Sequence, residues 1–240
     1  MNTIKLENKG NTLMVAHRGC SGLEQENTNS AFIAAGNRSY FGIETDIHQT
    51  VDGKFVLFHD DNTARIAIDK LVIEESTFDT LRGLLLTEKS GVKGRTDIRI
   101  PTLEEYIGIC KHYEKTAVLE LKNHIEKEKV WEICEKIIEM DYMDKVIFIS
   151  FDYDNLTYVK EKYPQQIVQF LIVPFEDDLI ERLKAWNMDL DIYYKSLTKE
   201  NIQLCHDKGI KVNCWTVDDL DAAKQLVEWG VDFITSNIIE

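Results

Sequence analysis

Apolar and polar positions along the chain follow two alternating periods. Short, nearly unbroken apolar runs such as Leu13-Met14-Val15-Ala16 and Val146-Ile147-Phe148-Ile149 read as buried strands, and each is followed by a stretch with apolar residues at helical spacing. Strands are expected at about 13–16, 42–48, 117–122, 146–150, 167–173, 188–193, 210–216 and 231–235. The first helix, about 29–38, should turn Phe32, Ile33 and Ala35 inward. Thr102 with Glu105 three residues later is a capping box that opens a helix reaching about 113. Further helices follow, one through Trp131, Cys134, Ile137 and Ile138, then about 153–162, 177–185 and 199–208. A last one, capped by Asp218, carries Leu220, Ala223, Leu226 and Val227 inward.

Two places depart from this rhythm. Asp52-Gly53 is a tight-turn signal, and the run Phe55 to Phe58 after it reads as a hairpin partner of the second strand. From 61 to 99 the text becomes mixed in charge, with Gly83, Gly91 and Gly94, and reads as an insertion. Eight strands separated by seven helices, joined by short loops, predict a parallel sheet closed into a TIM (β/α)8 barrel with a small insertion after strand 2, one domain over residues 1–240. Five residues follow Thr235, so an eighth helix is expected to be missing or very short, which bears on closure of the barrel.

Composition narrows the function. A formal net charge of -14 disfavours binding to nucleic acid or anionic membrane, both of which need clustered Lys and Arg. No apolar run has signal-peptide or membrane-spanning character, so membrane insertion is not expected and a cytoplasmic location is. The five cysteines, Cys20, Cys110, Cys134, Cys205 and Cys214, are widely spaced and fit reduced thiols.

Chemistry is expected where charge interrupts apolar strands. His17-Arg18 ends the first strand, Glu44 and Asp46 lie two apart in the second and so share a face, His59 ends the hairpin, and Glu120 and Lys122 end the next strand. In a β/α barrel all of these reach the C-terminal rim of the strands. Carboxylates gathered in an apolar interior must neutralise, pair or hold a cation. Glu44, Asp46 and Glu120 therefore form either a salt-bridged interior or an all-oxygen site that suits Mg²⁺ or Ca²⁺ better than zinc. His17 and His59 could be ligands or core histidines, but two of them bracketing a carboxylate cluster point to a general acid and a general base. Arg18 and Lys122 add a positive socket for an anion, although Lys122 could simply pair with Glu120 or Glu44. Together these are the parts phosphoryl transfer requires.

Taken in order, His17-Arg18-Gly19, Glu26-Asn27-Thr28, Glu44-x-Asp46, Thr50-x-Asp52-Gly53, His59-Asp60, Ile100-Pro101-Thr102-Leu103-Glu104-Glu105, Glu120-x-Lys122 and Trp215-Thr216-Val217 resemble the glycerophosphodiester phosphodiesterases. The resemblance implies divalent-cation-dependent hydrolysis of small-molecule glycerophosphodiesters to an alcohol and glycerol 3-phosphate. It implies metal ligation by Glu44, Asp46 and Glu120, acid-base work by His17 and His59, and phosphate contact by Arg18 and Lys122. Gln25 replaces the usual proline, and Thr235-Ser236-Asn237 replaces the usual Thr-Asp, so a contact made by that aspartate is not carried over.

Trp215 could stack on the glycerol moiety, as the resemblance suggests, or close the barrel rim. Phe151, Phe175 and Tyr194 could wall the alcohol group or serve packing. A thiol nucleophile at Cys20 would leave the carboxylate cluster without purpose. His48, His112, His124 and His206 read as solvated, as do the charged helix faces such as Glu126-Lys127-Glu128-Lys129. Two alternatives stand beside the main reading: a related barrel acting on lysophospholipids or sphingomyelin, and a non-catalytic phosphodiester-binding barrel.

Overall fold

The computed structural model describes residues 2–92 and 95–240; Gly94, one of the insertion's glycines, lies outside the described residues. Strand β1 (Leu13–Ala16) leads to helix α1 (Asn29–Gly36), β2 (Gly42–Gln49) and the short β3 (Phe55–Leu57). Beyond the insertion, which contains α2 (Phe78–Gly83), the alternation runs α3 (Leu103–His112), β4 (Thr116–Leu121), α4 (Lys127–Glu139) and β5 (Val146–Ser150). It continues with α5 (Tyr153–Lys162), β6 (Val168–Ile172), α6 (Leu179–Ala185) and β7 (Asp189–Tyr193). The last units are α7 (Lys199–Asp207), β8 (Val212–Trp215), α8 (Leu220–Trp229) and β9 (Phe233–Ser236).

All strands but β3 form one parallel sheet that closes on itself, because β1 pairs with β9 on one side and with β2 on the other. This is a TIM barrel. Strand β3 pairs antiparallel with the end of β2 and brings the chain back to the rim, as the Asp52-Gly53 turn predicts. No helix follows β9 among the described residues; closure rests on strand pairing, and a parallel bridge between Ile4 and Ile239 lies beside the barrel.

Side chains alternate across each strand, so every strand builds two layers. Outward residues such as Ile43, Ile47, Leu119, Phe148 and Ile192 pack on Phe32, Tyr106, Ile133 and Leu156 of the surrounding helices. Inward residues Val15, Val118, Ile147, Ile149, Leu171 and Phe233 fill the barrel itself. The insertion has a small core of its own, Ile66, Ile73, Leu81 and Leu86 against Val56 and Phe58. It is tied to the barrel by Arg82, whose guanidinium donates to both carboxylate oxygens of Glu105 at 2.9 and 2.8 Å. Glu105 also completes the predicted capping box with Thr102.

Some helix faces differ from the pattern reading. Ile33 and Ile138 are exposed, each sitting one position past the buried stripe of its short helix. The cap of α8 is Asp219, whose carboxylate accepts from the Ala222 amide, while Asp218 has another task described below. No helix of the described residues is long and apolar enough to cross a membrane.

Candidate active site

The site is assembled at the C-terminal rim by β1, β2, β3 and β4. Residues Glu44 and Asp46 face inward, and Asp46 lies directly beside Glu120 in the β2–β4 register, so pairing of the two strands forces the carboxylates together. One carboxylate oxygen from each of Glu44, Asp46 and Glu120 lies within 4.8 Å of the others. All three residues are buried. Burial pushes the Glu44 carboxyl well above the usual range, and the neighbouring Asp46 and Glu120 charges push it further. Glu120 is raised to about 8, by burial and then by Asp46. Asp46 stays low despite its burial because Lys122 and Arg18 stand next to it.

The loop after β1 wraps this cluster. Arg18 adopts a positive φ of 52°, its amide donates to Glu44 Oε2 at 2.6 Å, and its guanidinium donates to Glu26 at 2.8 Å and lies 3.8 Å from Asp46. Gly19 follows with φ 74°, and a Cβ there would stand 2.7 Å from the Ala31 backbone, so the turn requires glycine. Asn27 donates to Asp46 Oδ2 at 2.7 Å and accepts from Thr45 at 2.7 Å, orienting the carboxylate. Lys122 lies 2.7 Å from Glu120 and 3.5 Å from Asp46; burial works against its charge, but these two carboxylates outweigh it and raise its pKa.

The residues present fit a hard cation. Asp46 Oδ1 is buried and makes no hydrogen bond; its one charge partner is the Lys122 ammonium at 3.5 Å, which leaves that oxygen with room for a second positive ligand. A divalent ion among three carboxylate oxygens would satisfy that atom and remove the repulsion that lifts Glu44 and Glu120.

The two histidines flank the cluster and are held differently. His17 Nδ1 lies 2.8 Å from Asn237 Oδ1, which also accepts from Ser21 at 2.6 Å. Asp218 accepts from the Asn237 amide groups behind it. Asn237 therefore orients His17, and Asp218 holds Asn237 rather than capping α8. Burial first, then Arg18, lowers the His17 pKa to about 4, so at neutral pH its ring is uncharged, with Nδ1–H donated to Asn237 and Nε2 free to accept a proton. His59 Nδ1 bonds Asp60 at 2.7 Å, and Asp60 is held by Arg65 of the insertion. Arg65 also reaches both oxygens of Glu26 at 2.7 Å, linking the first loop, the hairpin and the insertion in one chain of charges. Burial lowers the His59 pKa, with Asp46 and Asp60 pulling the other way.

A cavity of about 250 Å³ opens at this rim between His17, Glu44, His59 and Lys122 on one side and Ile149, Phe151 and Trp215 on the other. Phe151 and Trp215 meet edge to face, with ring centroids 5.6 Å apart. Phe175 and Tyr194 do not join that wall; they pack against the outer core. A second cavity, about 580 Å³, begins on the far side of His17 and Arg18 and is lined by Glu26, Lys89 and Asp218. Another groove, about 950 Å³, lies at the opposite end of the barrel around Lys111 and Lys145, away from this chemistry.

His17, Arg18, Glu44, Asp46, His59, Glu120, Lys122 and Trp215 thus all lie at one rim, as the sequence predicts. His48 corrects the reading of a solvated histidine: it is fully buried, two residues after Asp46 on the same strand, with Nδ1 2.9 Å from Glu74. His112 and His124 are exposed and His206 is half-buried. Cys20 is buried 4.0 Å from the Tyr40 hydroxyl, with its pKa raised by burial, so no reactive thiol stands in the site. Sequence reasoning reads Asp218 as a helix cap and gives no site role to Asn27 or Asn237, nor to the inward Gln169, Asp191 and Asn213. The Glu26-Asn27-Thr28 run carried the signal for Asn27; the others are single polar residues with no pattern around them.

Comparison with known proteins agrees with this geometry. The family model described as the glycerophosphoryl diester phosphodiesterase family matches residues 17–240. A glycerophosphodiester phosphodiesterase from Caldanaerobacter subterraneus subsp. tengcongensis is 29% identical over 238 residues, 94% of each chain. Among solved structures, an Oleispira antarctica phosphodiesterase in complex with the product sn-glycerol-3-phosphate is similar with a TM-score of 0.86 and 26% identity, covering 94% of this chain and 92% of that one. A glycerophosphodiester phosphodiesterase from Parabacteroides distasonis is similar with a TM-score of 0.78 and 28% identity over 95% of this chain and 93% of that one.

Proposed function

Since the chain belongs to the glycerophosphoryl diester phosphodiesterase family, we propose that it hydrolyses small-molecule glycerophosphodiesters to an alcohol and sn-glycerol 3-phosphate, with all of residues 1–240 serving one catalytic unit. The observation that carries the reading is the triad of buried carboxylates, Glu44, Asp46 and Glu120, with Asp46 Oδ1 free of hydrogen bonds, set between two histidines and two cationic side chains. Mg²⁺ or Ca²⁺ is the proposed ion, held by those three carboxylates. Once bound it would neutralise them and polarise a phosphoryl oxygen.

The chain's own groups do the rest. Arg18 and Lys122 bind the non-bridging phosphoryl oxygens and stabilise the charge that builds on them. His17, neutral and with Nδ1–H fixed by Asn237, accepts the proton of the attacking oxygen at Nε2, which is either water or the substrate's own 2-hydroxyl. His59 acts from its imidazolium form, with Nδ1–H held by Asp60, gives its Nε2 proton to the departing alkoxide and is left neutral. The 250 Å³ cavity, just under the ~300–1,000 Å³ usual for small-molecule clefts, suits the compact glycerol phosphate, with Trp215 and Phe151 against its carbon face. The wider, charged cavity beyond His17 suits the alcohol portion. Five unpaired, buried cysteines fit a reducing compartment, and the cytoplasm is the proposed one.

The test is product analysis on a panel of glycerophosphodiesters with Mg²⁺ and with Ca²⁺. Release of sn-glycerol 3-phosphate and the free alcohol is the expected result. No hydrolysis of any member, or release of a phosphorylated alcohol with free glycerol, would overturn the assignment.

A further inference from the structure

The wall of the 250 Å³ cavity opposite the carboxylate triad holds polar groups that the hydrolytic chemistry does not use. Gln169 of β6, Asp191 of β7, Asn213 of β8 and Thr235 of β9 all point into the barrel and are buried. Asn213 ties them together: its amide donates to Gln169 Oε1 at 2.9 Å and to Asp191 Oδ2 at 3.3 Å, and its carbonyl oxygen accepts from Thr235 at 3.2 Å. This network fixes the Asp191 carboxyl by one oxygen. The other, Oδ1, is buried without a partner, and Asp191 lines the cavity. One inward position nearer the rim on the neighbouring strand, the Trp215 indole N–H is likewise buried, unmatched and part of the same wall. Ile149, Leu171 and Phe151 make the apolar part of that wall, and Thr216 also lines it.

Buried polar atoms are matched almost everywhere in folded proteins, so an orientated, unmatched carboxyl oxygen facing a cavity marks where a ligand group docks. Its chemistry selects the ligand. A carboxyl that burial drives toward its neutral form and a separate indole N–H, on a wall that is largely apolar, suit alcohol hydroxyls, which donate and accept at once, and do not suit a second phosphate or a cationic group. The phosphate socket of Arg18 and Lys122 sits at the rim above this wall, so a phosphorylated polyol bound there would carry its hydroxyls down to it.

We propose that Asp191, held by Asn213, is the specificity residue that reads the free hydroxyls of the glycerol moiety, so that the enzyme selects phosphodiesters bearing a polyol. The proposal rests on the glycerophosphodiester reading of the same cavity and deepens it. Asp191 makes no contact with the reacting phosphoryl group in this account; it acts on binding of the group the phosphate carries.

Asp191→Ala and Asp191→Asn would be assayed on a glycerophosphodiester and on bis(p-nitrophenyl) phosphate, which has the phosphodiester and no hydroxyl. In Asp191→Ala the ratio of kcat/KM for the first substrate to that for the second should fall by about tenfold to a hundredfold. Asp191→Asn, which keeps an acceptor oxygen, should recover part of it. A parallel fall on both substrates, leaving the ratio unchanged, would mean that Asp191 only supports the barrel, and no change on either would equally overturn the proposal. Inhibition of the wild-type protein gives a measurement that needs no variant: glycerol 3-phosphate should bind at least tenfold tighter than propyl phosphate, and equal inhibition would contradict the proposal. If the wild-type protein hydrolyses bis(p-nitrophenyl) phosphate and no glycerophosphodiester, the functional reading itself fails.

Discussion

The two halves of the barrel mouth are built from the same alternating strands and do opposite things. From β1 to β4 the inward and rim positions carry three carboxylates, two cations and two histidines, the cations paired with the carboxylates and the histidines held by Asn237 and Asp60. From β5 to β9 the same positions carry Ile149, Leu171, Phe151 and Trp215, with the Gln169, Asp191, Asn213 and Thr235 network below. The first half is costly to bury and is stable only while its charges balance, which makes it responsive to ions. The second half holds a single carboxyl, Asp191, which burial and then the Glu120 charge push well above the usual carboxylate range. Chemistry on a phosphoryl group needs the former, whereas telling one alcohol from another needs the latter. A single ring of strands separates the two tasks by confining charge to one arc.

That division can be broken most severely at the histidines. His59→Ala should lower kcat by roughly two to four orders of magnitude without weakening cation binding; a rate near wild type in steady-state assays would remove the acid role. Lys122→Met should cost about 10²–10³ in kcat/KM, the usual loss for one donor to a developing anion, and an effect below tenfold would mean that Lys122 merely balances Glu120.

The charged arc also predicts acid sensitivity. Burial alone would raise the Glu26 pKa, but its bonds to Arg65 and then Arg18 lower it to about 2 from the ordinary 4.5. A carboxylate lowered in the folded state stabilises it above the unfolded value and loses that contribution as pH falls. The window is therefore pH 4.5 to about 2, and the amount is up to about 3 kcal/mol at ~1.4 kcal/mol per pH unit. Denaturant unfolding across this window should show Glu26→Gln with a flatter profile than wild type; superimposable slopes would contradict the linkage. In the neutral arc the effects shrink. Phe151 is partly exposed and contributes one edge-to-face contact, so Phe151→Leu should raise KM a few-fold to about tenfold, matching ~0.5–1.5 kcal/mol for an aromatic pair. A change in kcat instead would place Phe151 nearer the chemistry.

The same contrast explains what was legible from sequence. Charges inside apolar runs are anomalies, so Glu44, Asp46, Glu120 and Lys122 announce themselves, and strand periodicity then places them on one face. The eight-strand rhythm, the Asp52-Gly53 hairpin and the Thr102 capping box are local signals, and all appear in the fold. Gln169, Asp191 and Asn213 are single polar residues in strands, where alternation ordinarily means one solvated face; only barrel closure turns that face inward. The support of His17 by Asn237 joins residues 220 apart, and the identity of the supporting residue depends on a loop that no local pattern describes. His48 departs from the solvated reading for a related reason. Its burial comes from the insertion folding Glu74 against it, a contact without periodicity.

The central claim is that the charged arc works by holding a divalent cation. Its most direct test is release of sn-glycerol 3-phosphate by protein stripped with EDTA, before and after one added cation. Near-complete loss of turnover, restored by Mg²⁺ or Ca²⁺ in wild type and not in Asp46→Asn, is the predicted result; full turnover in the stripped protein would contradict the account.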